Sequence, residues 1–159
     1  MTPRPEARPI GSMLTVVIEA RSGAERLPAL LAQLTAGAVD GLVRQVLIVA
    51  AADQPGVAEL CEETGAEAHV SLPGAARASR SDRLLVLPAD FRLRDGWIGA
   101  LGGHLAAGGG RALVVGLGQG RLFGPRASGL LVERGLVQDG VDDAQRLRRR
   151  LGLSVPRIG

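Results

Sequence analysis

The sequence predicts one α/β domain, Rossmann-like, with a mostly parallel central sheet and helices on both faces. Two observations carry that expectation. Short β-branched and Leu/Val runs alternate with helically spaced apolar residues through the first two-thirds of the chain, the order that builds βαβ units rather than a sandwich. The 159 residues are the length of a single domain and enough to bury a sizeable core without staples. Hydrophobic residues make up 46% and charged residues 22%, as in ordinary globular chains. Aromatic content is only 2%, so the core has to be built from Leu, Val, Ile and Ala.

Taken in order, Leu14 to Ile18 is a β-branched run and reads as a buried strand. Leu27, Leu30, Leu31 and Leu34 recur at helical spacing, giving a helix from Ala24 to Leu34. Ser22 is placed to cap it, with Glu25 as capping-box partner. Gly37 and Asp40-Gly41 mark the turn out, and Val43 to Ala50 is the second strand. Gln54, Pro55 and Gly56 open a second helix, Val57 to Thr64, which Gly65 closes. Glu67 to Leu72 is expected as a third strand and Gly74 to Ser81 as a short helix. Arg83 to Leu87 is the strongest central strand and ends on Pro88, Ala89 and Asp90. Gly96-Trp97 starts a helix to about Ala107, and Ala112 to Leu117 is a strand. A loop follows from Gly118 to Arg126, then a strand from Ser128 to Glu133. Asp142 to Leu151 is an amphipathic helix and Ser154 to Ile158 a short strand or tail. Residues 1–12, with Pro3, Pro5 and Pro9, read as a disordered N-terminal tail, and 13–159 as the domain.

Charge excludes some partners. The net charge is +3, and every basic side chain is Arg, scattered among 16 acids. A nucleic-acid surface gathers its cations on one face and adds aromatic platforms, so no nucleic-acid partner is expected. Cys61 is the only cysteine, which rules out an internal disulfide or a cysteine metal cage and suits a reducing cytoplasm. No stretch reads as a secretory signal or a membrane span. Arg146, Arg148, Arg149 and Arg150 leave peripheral contact with anionic headgroups open, beside the plainer role of a solvated helix face. The oligomeric state is not legible.

Ligands of such sheets bind beyond the carboxyl ends of the strands. Here those ends are Glu19-Ala20-Arg21, Ala50 to Asp53, and Pro88-Ala89-Asp90. The strand, turn and Leu-rich helix from Val16 to Leu31 open a longer pattern. It continues through Val46 to Leu60, Gly74 to Asp90, Gly96-Trp97, Gly129 to Arg134, and Asp142-Asp143 to Gly152. In order and spacing this resembles the family 2 glycosyltransferases, whose domain has the GT-A fold. The resemblance covers most of residues 13–152 and implies a nucleotide-diphosphate sugar donor, an acceptor it does not identify, and a divalent metal, Mn²⁺ or Mg²⁺.

By that resemblance Asp90 falls where the family coordinates its metal, and Asp142 or Asp143 where it has the catalytic base. Glu19, Arg21 and Asp53 stand at the strand ends where a donor would be held. The chain also departs from the pattern. Ala50 replaces the acid that binds the uracil edge, Pro55 the next acid of that turn, and Pro88 the first acid of the Asp-x-Asp motif. Each candidate has a plainer role as well. Asp90 suits a turn cap, Asp53 a cap for the helix from Pro55, and Asp142 and Asp143 the dipole at a helix start. Arg21 suits a solvated surface position, His104 a structural one, and Cys61 a small core site. Two rival readings stay open. One is a non-catalytic GT-A-fold binding or scaffold protein. The other is a nucleotidyltransferase similar to the molybdenum-cofactor guanylyltransferases, to which Leu85 to Asp90 also bears a likeness.

Overall fold

The structure is a computed structural model and describes residues 13–117, 128–137 and 156–158. The tail expected over 1–12, the loop from Gly118 to Arg126 and the helix expected from Asp142 to Leu151 lie outside the described residues. Seven strands of the described residues form one sheet. They are β1 (Leu14–Glu19), β2 (Val43–Val49), β3 (Glu67–His69), β4 (Arg83–Pro88), β5 (Ala112–Val115), β6 (Ser128–Glu133) and β7 (Arg157–Ile158). Their spatial order is β3-β2-β1-β4-β6-β5-β7. The run β3, β2, β1, β4 is parallel, β6 is antiparallel to both β4 and β5, and β7 is parallel to β5. The mostly parallel sheet is therefore present, with β6 as the reversed strand.

Helices α1 (Leu27–Asp40), α2 (Val57–Thr64), α3 (Leu72–Ala78) and α4 (Trp97–Ala106) cover the sheet. Successive strand residues face opposite sides, and that alternation divides the core in two. Val16 and Ile18 of β1, Ile48 of β2, and Leu85 and Leu87 of β4 pack with Leu27, Leu30 and Leu34 of α1, Val57 of α2, and Trp97 and Leu101 of α4. Val17, Leu47, Val49, Leu84 and Val86 pack with Leu72, Ala75 and Ala76 of α3 on the other side. Burial on both faces explains why the central strands read as continuous apolar runs rather than alternating ones.

Several expected boundaries move. Ser22 does not cap the first helix. Gly23, at φ 79°, leads a 3-10 turn over Ala24–Arg26, and no side chain caps that turn or α1. Helix α1 runs past Leu34 to Asp40 and stops at Gly41, at φ 88°. Gly37 is inside α1, not in a turn, and it is there for close packing, since a Cβ would run into the side chains of Trp97 and Val43. The third strand stops at His69, and Leu72 already belongs to α3. The Ser71 hydroxyl caps α3 by accepting from the Gly74 N–H at 3.0 Å, and Pro73 sits in the first turn, where its missing N–H goes unnoticed.

Candidate functional site

The site begins with strand register. Glu19 stands opposite Val49 on one side and Pro88 on the other. The ladder continues one step beyond the strands. Ala20 N donates to Val49 O at 2.8 Å, Ala89 N to Glu19 O at 3.1 Å, and Ala50 N to His69 O at 2.9 Å. The tips of β3, β2, β1 and β4 are thus level. From β1 the chain winds outward through β2 and β3, then returns to β4 on the far side of β1. The switch point between β1 and β4 is where such sheets leave a crevice for ligands. The residues one step beyond the three strands, Ala20, Ala50 and Ala89, are small and buried.

Asp90 is half-buried in the turn that follows β4, closed by Phe91 N donating to Pro88 O at 3.0 Å. That turn has a firm mount. Phe91 and Leu93 are buried in the core. The Gln33 amide accepts from Leu93 N at 2.9 Å and donates to Leu93 O at 3.0 Å. Arg92 donates to Phe91 O at 2.6 Å and to Arg26 O at 3.3 Å, and its carbonyl accepts from Leu117 N at 2.9 Å.

Glu19 is half-buried at the end of β1. Arg21 is exposed, and its Nη2 donates to Val70 O, just past β3, at 2.7 Å. Because β2 lies between β1 and β3, that guanidinium crosses the tip of β2. Asp53 is exposed in a left-handed turn at φ 59°, a conformation that Asp tolerates better than most residues. It does not cap α2, whose N-cap is Gly56 with no side-chain bond. The structure therefore brings Glu19, Arg21, Asp53 and Asp90 to one edge of the sheet. Asp142 and Asp143 lie outside the described residues.

Gln54, expected from the sequence only as part of the opening of a helix, ties this edge together. Its Nε2 donates to Ala20 O at 2.7 Å and its Oε1 accepts from Ala51 N at 2.9 Å. Two strand-end loops are thereby joined through one amide. The only sequence signal was a long polar side chain among alanines at a strand end. His104 has a structural role, with Nε2 2.8 Å from Gly110 O. Cys61 packs against the core, and burial pushes its thiol pKa up.

Among the described residues no three His, Cys, Asp or Glu side chains group so as to hold a metal ion. A hard divalent cation takes about six or more oxygen ligands. With proline at position 88, Asp90 offers one carboxylate from its turn. The described residues do not by themselves make a resident metal site, and a cation at Asp90 would need oxygen ligands beyond theirs, such as those of bound phosphate and water. No helix of the described residues is long and apolar enough to cross a membrane.

No family model and no curated protein matches the chain. Solved structures do match it. Mannosyl-3-phosphoglycerate synthase from Rubrobacter xylanophilus is 24% identical with a TM-score of 0.57, over 80% of this chain and 55% of that one. Glucosyl-3-phosphoglycerate synthase from Mycobacterium tuberculosis, in complex with Mn²⁺, uridine diphosphate and phosphoglyceric acid, is 16% identical with a TM-score of 0.61, over 92% and 68%. A 4-diphosphocytidyl-2C-methyl-D-erythritol synthase is 11% identical with a TM-score of 0.62, over 92% and 88%. The chain has a GT-A-like fold. It spans a little over half the length of the mannosyl-3-phosphoglycerate synthase. Within this GT-A-like sheet, the crevice above β1 and β4 is the place the topology reserves for a ligand.

Proposed function

We propose that the crevice beyond β2, β1 and β4 binds the diphosphate of a nucleotide sugar and that the chain transfers the sugar to an acceptor hydroxyl. The support is the level register of Glu19, Val49 and Pro88, which gathers Arg21, Asp53 and Asp90 along one edge at the switch point. Structural neighbours named with uridine diphosphate and phosphoglyceric acid favour a nucleotide donor and a small acceptor. In this reading Glu19 and Asp53 orient the donor and Arg21 meets a phosphate. Asp90 is the one carboxylate available to any Mn²⁺ or Mg²⁺ that the donor carries in. Asp142 or Asp143 takes the acceptor proton as the oxygen attacks the anomeric carbon and the nucleoside diphosphate leaves.

Titration calorimetry with uridine, guanosine and thymidine diphosphate glucose, with and without Mn²⁺, tests the reading. Binding of at least one of them is expected, and no binding of any would overturn it. A second reading is favoured by Ala50, which is 2% exposed, and by Pro88, since each stands where an acid would serve the chemistry. On that reading the fold persists as a binding module, and donor binding without release of sugar to any acceptor would decide for it. Nucleotidyl transfer is a third reading, favoured by the match over 88% of the length of the 4-diphosphocytidyl-2C-methyl-D-erythritol synthase. Release of pyrophosphate from a nucleoside triphosphate would select it.

A further inference from the structure

We propose that the crevice holds the phosphate groups of its ligand through the guanidinium groups of Arg21 and Arg92, without a divalent cation. The inference rests on the donor-binding reading and says how that binding is achieved. It begins with how the acids at this edge are arranged. Ala50, Pro55 and Pro88 stand where the resemblance would put acids, and the carboxylates that remain, Glu19, Asp53 and Asp90, form no metal-holding group of three among the described residues. A diphosphate still needs its charge offset. Two guanidinium groups carry the same charge as one divalent cation, and each presents a planar fork matched to phosphate oxygens.

The two arginines differ from three others of the described residues, and Arg83, which also donates to a carbonyl, Gly109 O, stands at the opposite end of β4. Arg80, Arg111 and Arg134 are each paired with a carboxylate, of Glu67, Glu133 and Asp82 respectively. Among the described residues Arg21 and Arg92 bind only backbone carbonyls, Val70 O for the first and Phe91 O and Arg26 O for the second. Those bonds hold each side chain in place while engaging only part of its five N–H donors. A positioned cation with donors to spare loses little entropy when an anion arrives. Arg21 crosses the tip of β2, and Arg92 follows Asp90 in the turn after β4. Between these two tips lies the end of β1, with the small buried Ala20.

The test is calorimetry on the whole chain with uridine diphosphate, guanosine diphosphate and 3-phosphoglycerate, in EDTA and in Mn²⁺. Binding of equal strength in both media is expected. Arg21→Ala and Arg92→Ala should each weaken it on the order of tenfold to a hundredfold, the range for losing a hydrogen bond to a charged group. Arg21→Lys, which keeps the charge and loses the fork, should recover only part of the loss. Asp90→Asn separates the two mechanisms by sign. It removes a negative charge beside the phosphates and should tighten binding by roughly twofold to fivefold, whereas at a metal-dependent site it would weaken binding. Melting curves check that each variant is folded, and if Arg92→Ala is not, the Arg21 and Asp90 variants decide. Preference for a nucleoside diphosphate over 3-phosphoglycerate assigns the phosphate to the donor, and the reverse preference to the acceptor. Binding only in Mn²⁺, lost in Asp90→Asn, would overturn the arginine clamp and leave the donor-binding reading intact. No binding in either medium would remove that reading and the clamp with it.

Discussion

Gly116 is a residue on which the crevice depends without belonging to it. A Cβ at that position would lie 2.6 Å from Phe91 Cε2 and 2.7 Å from both Phe91 Cζ and Arg92 O. The ring is 1% exposed, and the carbonyl is already engaged by Leu117 N, so neither can withdraw freely. Gly116→Ala should therefore destabilise the fold by about 1–3 kcal/mol through overpacking, and it should weaken any ligand binding that uses the Asp90–Arg92 turn. Gly103→Ala is the matched control. That residue is exposed within α4 and nothing lies near its absent Cβ, so the change should stabilise by roughly 0.5–1 kcal/mol. Urea unfolding of the two variants measures both, and a neutral Gly116→Ala would refute the packing argument. None of this was legible in the sequence, where Gly116 is one glycine of many and Phe91 is distant along the chain. Gln54 escaped for the same reason, because its bonds to Ala20 and Ala51 exist only once β1 and β2 lie side by side.

Elements were easier to read than single residues, and the errors have physical causes. The cores of β1, β2 and β4 stood out because a strand buried on both faces shows as an unbroken apolar run. Ser128–Glu133 was legible as a strand, but its direction was not, since Gly129-Leu-Leu-Val132 carries the same pattern read either way. The third strand was drawn too long because Val70 and Leu72 suggest a strand, while the stronger signal was Ser71 capping a helix with Pro73 in its first turn. The reversed β6 also brings a charge pair to its end, where Arg111 Nε lies 3.0 Å from Glu133 Oε2. Burial pushes the Glu133 pKa up. Its own backbone N–H, the Arg111 hydrogen bond and the charges of Arg111 and Arg83 outweigh that, so the net shift is downward from 4.5. A carboxylate whose folded pKa is depressed stabilises the fold above its unfolded value, and that contribution is lost as the pH falls through the folded value. Glu133→Gln should therefore lower stability at pH 7 and leave it nearly unchanged once the pH is well below 4.5. Urea unfolding at several pH values checks this, and an equal deficit at all of them would rule out the ion pair as its source.

At the scale of the molecule, the common edge of the strand ends was legible and the side chains along it were not. Alternating strands and helices dictate a parallel sheet, and a parallel sheet dictates a ligand edge at its switch point. Which side chains meet along that edge depends on loop geometry that no periodicity encodes, as Arg21 reaching Val70 O shows. The same topology ranks the strands by stability. β1 is hydrogen-bonded on both sides, by β2 and β4, and all of it except Glu19 is buried. β4 is likewise flanked, by β1 and β6. At the margins, β3 pairs with β2 alone over three residues, two of them exposed, and β7 pairs with β5 over two residues. Local opening requires little apolar surface to be exposed at such edges and nearly the whole core at the centre. The amides of Val16, Val17, Ile18, Leu85 and Val86 should therefore exchange with solvent only through global unfolding. Those of β3 should exchange on the order of a hundredfold or more faster. Native-state hydrogen exchange followed by NMR measures the ratio. If β3 proved as protected as β1, something absent from this sheet would have to cover its outer edge.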